Sequence, residues 1–198
     1  MVPVNVTWNV SGDTFVNVLQ RSNDGGSYET MEYAARRFWP AAVKQSIRHP
    51  LAGVSYRYRI EPSDAAGNVG AAVAGPAWKV GVVQDSNASL QYAGGWAQGS
   101  SPKAFDGSQQ FTTKAGASAT LQFTGRSVAW ITPRSTGRGH ARVYLDGELL
   151  GTVSTSAKTL QSREIAFAHS WPDSGTHTLK IVAVGDHRID VDAIAVLS

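Results

Sequence analysis

Three short loops contain side chains whose chemistry suits a polar ligand. They are 93–101 with Trp96, 133–140 with Arg134, Arg138 and His140, and 185–188 with His187 and Arg188, which leads to Asp190. A flat indole ring can cover the apolar face of a pyranose, and guanidinium, imidazole and carboxylate groups can bond its hydroxyls. The sequence therefore predicts a sugar-binding site at the loop tips, formed by Trp96, Arg134, Arg138, His140, His187, Arg188 and Asp190.

Two of these loops also have a purely structural interpretation. The neighbours of Trp96 are too small to bury it locally, which favours an exposed ring, but in the first alternative Trp96 closes the end of a β-sandwich. In the second, the arginines of 133–140 lie in a solvated loop and are held by pairs with carboxylates. The sequence leaves both interpretations open beside ligand binding.

The segment after residue 187 alternates in the manner of a β-strand. Ile189 and Val191 are predicted on one face, and the acids Asp190 and Asp192 share the other face with Arg188. Two acids alone are too few for calcium, which takes six to eight oxygen ligands, so a structural calcium here would need backbone carbonyls. We expect Asp192 to anchor the neighbouring arginine loop instead.

The chain lacks the motifs of common catalytic sites. It contains no Gly-x-Ser-x-Gly, no His-Glu-x-x-His and no phosphate-binding loop. Its five histidines show no metal-ligand spacing; they are His49, His140, His169, His177 and His187. We therefore expect a protein that is not an enzyme and that needs no cofactor, apart from the calcium alternative.

The composition indicates many short strands. With 198 residues, 42% of them hydrophobic, the chain can bury one large core or two small ones. Twenty glycines and eight prolines, beside six residues each of Trp, Tyr and Phe, suit strands joined by tight turns. The absence of cysteine excludes disulfides, zinc–thiolate sites and cysteine nucleophiles.

The charge pattern excludes some partners. The net charge is only +3, and the twelve arginines are dispersed along the chain, which argues against nucleic acid. No run of 18 apolar residues is present, so we expect no membrane insertion and a soluble chain. The first residues have no basic and apolar signal pattern, and we expect any export signal outside the given sequence.

The first part of the chain resembles a bacterial fibronectin type III domain. The motifs are the alternating segment 51–60, which contains Tyr56 and Tyr58, followed by Asp-Ala-Ala-Gly-Asn at 64–68 and by Gly-Pro-Ala-Trp-Lys-Val-Gly at 75–81. The resemblance implies strands F and G of an immunoglobulin-like sandwich in residues 1–81, with one of the tyrosines as its corner tyrosine.

Two features depart from that pattern. Strand 4–10, with Trp8 as the expected core tryptophan, resembles strand B and leaves no room for strand A, which is either missing or donated by other sequence. Residues 32–49 are richer in bulky side chains than an ordinary loop. We expect Phe38 and Trp39 to fold back over the core; a recognition loop is the alternative.

Residues 82–198 are predicted to form a jelly-roll β-sandwich. Candidate strands lie near 89–93, 109–113, 117–124, 127–132, 140–146, 148–154, 161–168, 176–184 and 188–197. Asp146 and Gly147 form a two-residue hairpin signal, and alternation turns Trp130 toward the core. Arg142 and Tyr144 are predicted on an outer face, opposite Val143 and Leu145.

This second part resembles the carbohydrate-binding-module-like, galactose-binding-like sandwiches that follow fibronectin type III repeats in secreted bacterial hydrolases. The resemblance covers both parts in the same order. It implies an all-β accessory region, exported or at the cell surface, that docks an upstream parent domain onto polysaccharide or cell-wall glycan. We expect such a glycan binder to be a monomer.

Two other functions fit the same scaffold. One is a structural or assembly module of a surface filament, adhesin or phage-like fibre, whose first strand is completed by another chain. The other is a passive spacer that extends a parent enzyme. A glycan binder should be monomeric, an assembly module should self-associate through residues 1–10, and a spacer should do neither.

Overall fold

The computed structural model describes residues 4–8, 16–31, 43–47 and 52–198. The chain divides into two compact units, Met1–Val80 and Gly81–Ser198. The described residues form antiparallel strands, with one short 3-10 helix at Phe105–Gly107. The predicted all-β architecture is therefore confirmed. Within the described part no helix has the length and hydropathy of a membrane span.

The described residues of the first unit form two groups of paired strands. In chain order its strands are β1 (Val4–Trp8), β2 (Val16–Asn23), β3 (Glu29–Thr30), β4 (Val43–Ile47), β5 (Ser55–Ser63) and β6 (Val73–Gln84), whose last residues belong to the second unit. Strand β1 pairs with β4, and β2 pairs with both β3 and β5. Strand β5 pairs in turn with β6.

Aromatic side chains form the core of this unit. Alternation along β5 buries Tyr56 and Tyr58 and leaves Arg57 exposed. The Tyr58 ring stacks on Trp78, with centroids 5.8 Å apart and planes 9° apart. The two candidate corner tyrosines are thus core residues, while Trp8 is half-buried. Phe38 and Trp39, and any strand before β1, lie outside the described residues.

The second unit contains the remaining strands. They are β7 (Leu90–Ala93), β8 (Ala97–Ser100), β9 (Ser108–Thr112), β10 (Ser118–Arg134), β11 (His140–Leu145), β12 (Glu148–Ser154), β13 (Gln161–Val184), β14 (Ile189–Val191) and β15 (Ala193–Leu197). The larger sheet has the order β12-β11-β13-β10-β15, and β7 also pairs with β10. The smaller sheet has the order β14-β9-β8.

The two sheets of this unit share one hydrophobic core. The larger sheet contributes Leu121, Trp130 and Ile181, and the smaller sheet contributes Ile189 and Val191. Each of these side chains is at most 1% exposed. Burial on the shared face of two antiparallel sheets is the arrangement of the jelly-roll sandwich that the sequence predicts.

Several predicted strand boundaries were wrong. The candidate strands 117–124 and 127–132 are one strand, β10, with a register shift after Gly125. A Cβ at Gly125 would lie 2.7 Å from the Leu197 carbonyl oxygen, so glycine allows this close approach. Likewise, 161–168 and 176–184 are both parts of β13, which places Trp171 on a strand. Strand β8 was not predicted.

The predicted hairpin at Asp146 and Gly147 is confirmed. Both residues have left-handed backbone conformations, with φ of 53° and 88°, and Leu145 pairs with Glu148 across the turn. The Asp146 carboxylate accepts a 2.7 Å hydrogen bond from the Thr178 N–H. Its other oxygen lies 2.7 Å from His177 Nδ1, and this contact lowers the pKa of Asp146.

Substitution of Asp146 should separate the backbone conformation from the carboxylate charge. Asparagine tolerates the left-handed region and can still accept from Thr178, whereas alanine does neither. We expect Asp146→Ala to lower the free energy of unfolding by on the order of 1 kcal/mol more than Asp146→Asn does. Urea unfolding of both variants measures this difference. Equal midpoints for the two variants would contradict it.

Candidate functional site

The backbone of Asp190 is fixed by neighbours in both sheets. Asp190 pairs with Phe111 of β9 in the smaller sheet. Its carbonyl oxygen accepts hydrogen bonds from Trp130 Nε1, at 3.2 Å, and from Thr132 Oγ1, at 2.7 Å. Both donors belong to β10 of the larger sheet and are fully buried. The position of Asp190 is therefore set by the sandwich core.

The carboxylate of Asp190 holds two arginines from two different loops. Arg138 Nε lies 2.6 Å from Oδ2. Arg188 places Nε 2.7 Å and Nη2 2.6 Å from Oδ1. Gln109 Nε2 donates to the same Oδ1 at 3.1 Å. We call Arg138, Arg188 and Asp190 the arginine cluster.

The arginine cluster combines two cations with one anion. Burial raises the pKa of the Asp190 carboxyl, while the hydrogen bond from Arg188 and the charge of Arg138 oppose that rise. Burial also lowers the pKa of Arg138, against the attraction of Asp190. Arginine nevertheless keeps its proton in proteins. With both guanidinium groups charged, one positive charge exceeds what Asp190 can neutralise.

An aromatic ring supports Arg188. Its guanidinium carbon lies 3.8 Å from the centroid of the Phe111 ring, a cation–π contact. Gly99 of β8 is next to both groups: a Cβ there would lie 3.3 Å from Phe111 Cε1 and 3.6 Å from Arg188 Nη2. Because Gly99 has no side chain, this side of the Arg188 guanidinium is left open.

Gly139 joins the two arginine-bearing loops. Its N–H donates to the Arg188 carbonyl at 3.0 Å, and its carbonyl accepts from the Thr155 N–H and hydroxyl, at 2.9 and 3.1 Å. A Cβ at Gly139 would lie 2.8 Å from His187 Cβ and 3.2 Å from the His187 carbonyl oxygen. Only glycine allows this approach without a shift of one loop.

The close approach at Gly139 predicts a loss of stability when this glycine is replaced by alanine. Gly139→Ala should push the loops apart and lower the free energy of unfolding by roughly 1–3 kcal/mol. Gly137→Ala is the comparison, because a Cβ there meets no atom within 4 Å, although its φ of 75° also disfavours alanine. Thermal unfolding measures both variants. A Gly139→Ala variant as stable as Gly137→Ala would contradict the argument.

The structure brings together three of the seven predicted site residues: Arg138, Arg188 and Asp190. Arg134, at the end of β10, is directed elsewhere and has a long 3.5 Å contact from Nη2 to the Ile165 carbonyl. Trp96 packs on the core, with its ring 5.0 Å from that of Tyr92. The position of Trp96 matches the sandwich-closing role considered for it.

Two predicted histidines are close in sequence to the residues of the arginine cluster. His140 is an exposed residue at the start of β11, where its backbone pairs with Ser154 and Val184. The His187 side chain is 66% exposed, and its Nδ1 lies 3.1 Å from the Asp186 carboxylate. Both rings are accessible to a ligand, although neither contacts the Asp190 carboxylate.

The prediction that Asp192 anchors the arginine loop was wrong. Asp190 is 0% and Asp192 is 1% exposed, and Ile189 and Val191 are also buried. Both faces of β14 are covered, one by the core and the other by the arginine cluster. The residue that anchors the arginine loop is consequently Asp190. Asp192 Oδ1 instead accepts a 2.8 Å hydrogen bond from the Phe105 N–H.

The burial of Asp192 predicts a pH dependence of stability. Burial raises the pKa of its carboxyl from 3.8 to about 6, although the Phe105 N–H favours the ionised form. Between these values the folded chain binds more protons than the unfolded chain, so the contribution of Asp192 to stability grows as pH falls from about 6 toward 4. Asp192→Asn, which can still accept from Phe105, should abolish that gain.

Urea unfolding between pH 4 and 8 tests the predicted direction of this pH dependence. We expect Asp192→Asn to be more stable than the parent chain at pH 7, and the difference to shrink toward pH 4. A variant that is less stable at pH 7, with a difference that does not depend on pH, would contradict it.

The donor set around Asp190 does not suit calcium. Its oxygens face guanidinium and amide N–H groups, which exclude a cation. In the described part of the chain, no group of three or more His, Cys, Asp or Glu could hold a metal ion. The expectation that the chain needs no metal stays a prediction, with a calcium bound through backbone carbonyls as its alternative.

Sequence reasoning missed the supporting residues of the site. Gln109, Phe111 and Gly99 come from β9 and β8, far from the arginine loops in sequence. Alternation in the predicted strand 109–113 does place Gln109 and Phe111 on one face. The sequence contains no signal for the pairing of that strand with residues 189–191.

Known proteins match only part of this chain. No protein-family profile matches it. An A type blood N-acetyl-alpha-D-galactosamine deacetylase of Flavonifractor plautii is 31% identical over 102 residues, which are 52% of this chain and 13% of that protein. An A type blood alpha-D-galactosamine galactosaminidase of the same organism is 34% identical over 113 residues, 57% of this chain and 10% of that protein. The chain thus spans a small part of either relative.

Solved structures show weaker likeness. The CBM36-1 domain of a multidomain xylanase from the hindgut metagenome of Trinervitermes trinervoides is 12% identical, with a TM-score of 0.42 over 60% of this chain and 96% of that domain. A family two carbohydrate esterase from Cellvibrio japonicus is 16% identical, with a TM-score of 0.46 over 61% of this chain and 34% of that one. At these TM-scores the likeness adds nothing to the fold described above.

Proposed function

We propose that this chain is a non-catalytic accessory region that binds carbohydrate through its second unit. The observation that carries the proposal is the arginine cluster, where two loops present guanidinium groups fixed by one buried carboxylate. Preorganised planar donors suit the hydroxyl and acidic groups of a sugar. The exposed His140 and His187 are the proposed periphery of the site.

Partial similarity to two enzymes supports the accessory role. Their names describe a deacetylase and a galactosaminidase that act on amino sugars, and this chain matches 13% and 10% of their lengths. A segment of that size is consistent with an appended module of a larger protein. We propose a secreted or surface-attached parent with an upstream catalytic or surface domain, and a fibronectin type III-like spacer in residues 1–81.

Such a module acts by raising local concentration. A site of modest affinity keeps a tethered catalytic domain close to an insoluble substrate, so the overall avidity exceeds the affinity of the module alone. The module itself needs no nucleophile or acid–base pair. We propose that it works as a monomer.

Retention of the full chain on insoluble polysaccharides and purified cell walls tests the proposal. We expect one glycan class to retain the chain, and Arg138→Ala to reduce its affinity at least tenfold. Arg142→Gln is the matched control, because Arg142 is an exposed arginine on β11, outside the arginine cluster. It should bind as the parent does.

Two results would contradict the proposal. Failure of the folded chain to bind every glycan would remove the binding function. Concentration-dependent self-association in analytical ultracentrifugation, lost on deletion of residues 1–10, would instead support the assembly module.

A further inference from the structure

Solvent reaches the cations of the arginine cluster but not its anion. The Arg138 side chain is 15% exposed and that of Arg188 is 29% exposed, whereas the Asp190 side chain is 0% exposed. A ligand that approaches the two arginines therefore meets their guanidinium groups and not the Asp190 carboxylate. The partial charge balance lowers the cost of holding two cations together, while one positive charge remains for a ligand.

Asp190 also orients the two guanidinium groups. Arg188 donates to Oδ1 from Nε and places Nη2 2.6 Å from it, whereas Arg138 Nε lies 2.6 Å from Oδ2 as an ion pair that forms no hydrogen bond. A guanidinium held at its Nε edge still has N–H donors at its outer edge, in the planar fork that matches a carboxylate.

The neighbouring side chains favour a flat ligand group. Phe111 covers one face of the Arg188 guanidinium, and the missing side chain of Gly99 leaves room beside Nη2. The exposed acid nearby, Asp186, is 95% exposed and lies 3.1 Å from His187 Nδ1, which partly screens it. It is the negative charge in this loop that an anionic ligand would meet.

We propose that the arginine cluster binds the carboxylate of an acidic sugar, a hexuronate, with Arg138 and Arg188 as the residues that determine this specificity. The inference rests on the proposed carbohydrate-binding function and names its ligand class. A neutral sugar leaves the excess positive charge of the half-buried cluster without a partner, whereas a uronate neutralises it and accepts two N–H bonds from one guanidinium edge.

Binding of the full chain to paired polymers tests the ligand class. The probes are polygalacturonate and its fully methyl-esterified form, which share a backbone and differ in charge, with dextran and dextran sulfate as a second pair. We expect polygalacturonate to bind at least tenfold more tightly than its ester, with affinity that falls as salt rises. Dextran sulfate should bind more weakly than polygalacturonate, because its acidic group is a sulfate ester on a different backbone and not the carboxylate of a hexuronate.

Three variants locate the binding site. Arg138→Gln should weaken binding to polygalacturonate at least tenfold, and Arg142→Gln, which loses the same charge on β11, should stay within twofold of the parent. Gly99→Leu keeps every charge of the arginine cluster but covers the open side of Arg188. It should also weaken binding at least tenfold, and it serves as the test if Arg138→Gln fails to fold.

The failures of the two proposals are distinguishable. Equal binding of the acid and its ester, or tighter binding of a neutral polymer, would overturn the uronate inference and leave glycan binding intact. So would tighter binding of dextran sulfate than of polygalacturonate. Equal losses in Arg138→Gln and Arg142→Gln would show charge attraction without a site and overturn the inference. No binding to any polysaccharide would overturn both proposals.

Discussion

Asp190→Ala is expected to lower the free energy of unfolding by about 3–5 kcal/mol, the range found when one partner of a buried ion pair is removed. The variant leaves the Arg138 and Arg188 guanidinium groups half-buried without their shared anion. It also removes the acceptor of the Gln109 amide. Two loops that are joined by this carboxylate should then separate.

Urea unfolding at neutral pH measures the loss through the midpoint, with an unchanged slope as evidence that the cooperativity is intact. Asp186→Ala is the matched control, since it removes an exposed acid from the same loop; it should change stability by less than about 0.5 kcal/mol. Similar effects of the two substitutions would show that Asp190 contributes only a surface charge.

Trp130→Ala is expected to cost about 3–5 kcal/mol, because it leaves a cavity at a site that the surroundings cannot fill. The Trp130 side chain is 0% exposed and belongs to the core cluster between the sheets. Its Nε1 also donates to the Asp190 carbonyl. The substitution should therefore disturb the arginine cluster as well as the core.

Trp130→Phe separates these two roles. Phenylalanine keeps most of the apolar volume but cannot donate to Asp190, so its cost should be clearly smaller than that of alanine. Chemical unfolding of both variants, beside their binding to polygalacturonate, measures the two effects. If Trp130→Ala were no less stable than Trp130→Phe, the assignment of Trp130 to the core would be wrong.

Local patterns predicted the scaffold of the second unit. Alternation alone placed Val143 and Leu145 inside and Arg142 outside, as the structure has them. The Asp146–Gly147 turn also follows from two adjacent residues that tolerate positive φ. These features depend on the conformations of residues that are close in sequence, and such conformations can be predicted from the local pattern of side chains.

The site depends on contacts that local patterns do not contain. Asp190 of β14 pairs with Phe111 of β9. Arg138 contacts Asp190 from a third part of the chain, the loop 133–140. Alternation correctly separated Asp190 from Ile189, but it could not show that a second layer covers the polar face. The sequence therefore identified loops with candidate polar side chains, and tertiary packing determined which of those side chains meet.

Titration of the ¹⁵N-labelled chain with trigalacturonate, followed by NMR of the arginine Nε–Hε groups, tests most directly whether the arginine cluster is the binding site. We predict saturable shifts of the Arg138 and Arg188 signals, and none at Arg142. Shifts confined to Arg142 and its neighbours on β11, or no shifts at millimolar ligand, would contradict binding at the arginine cluster.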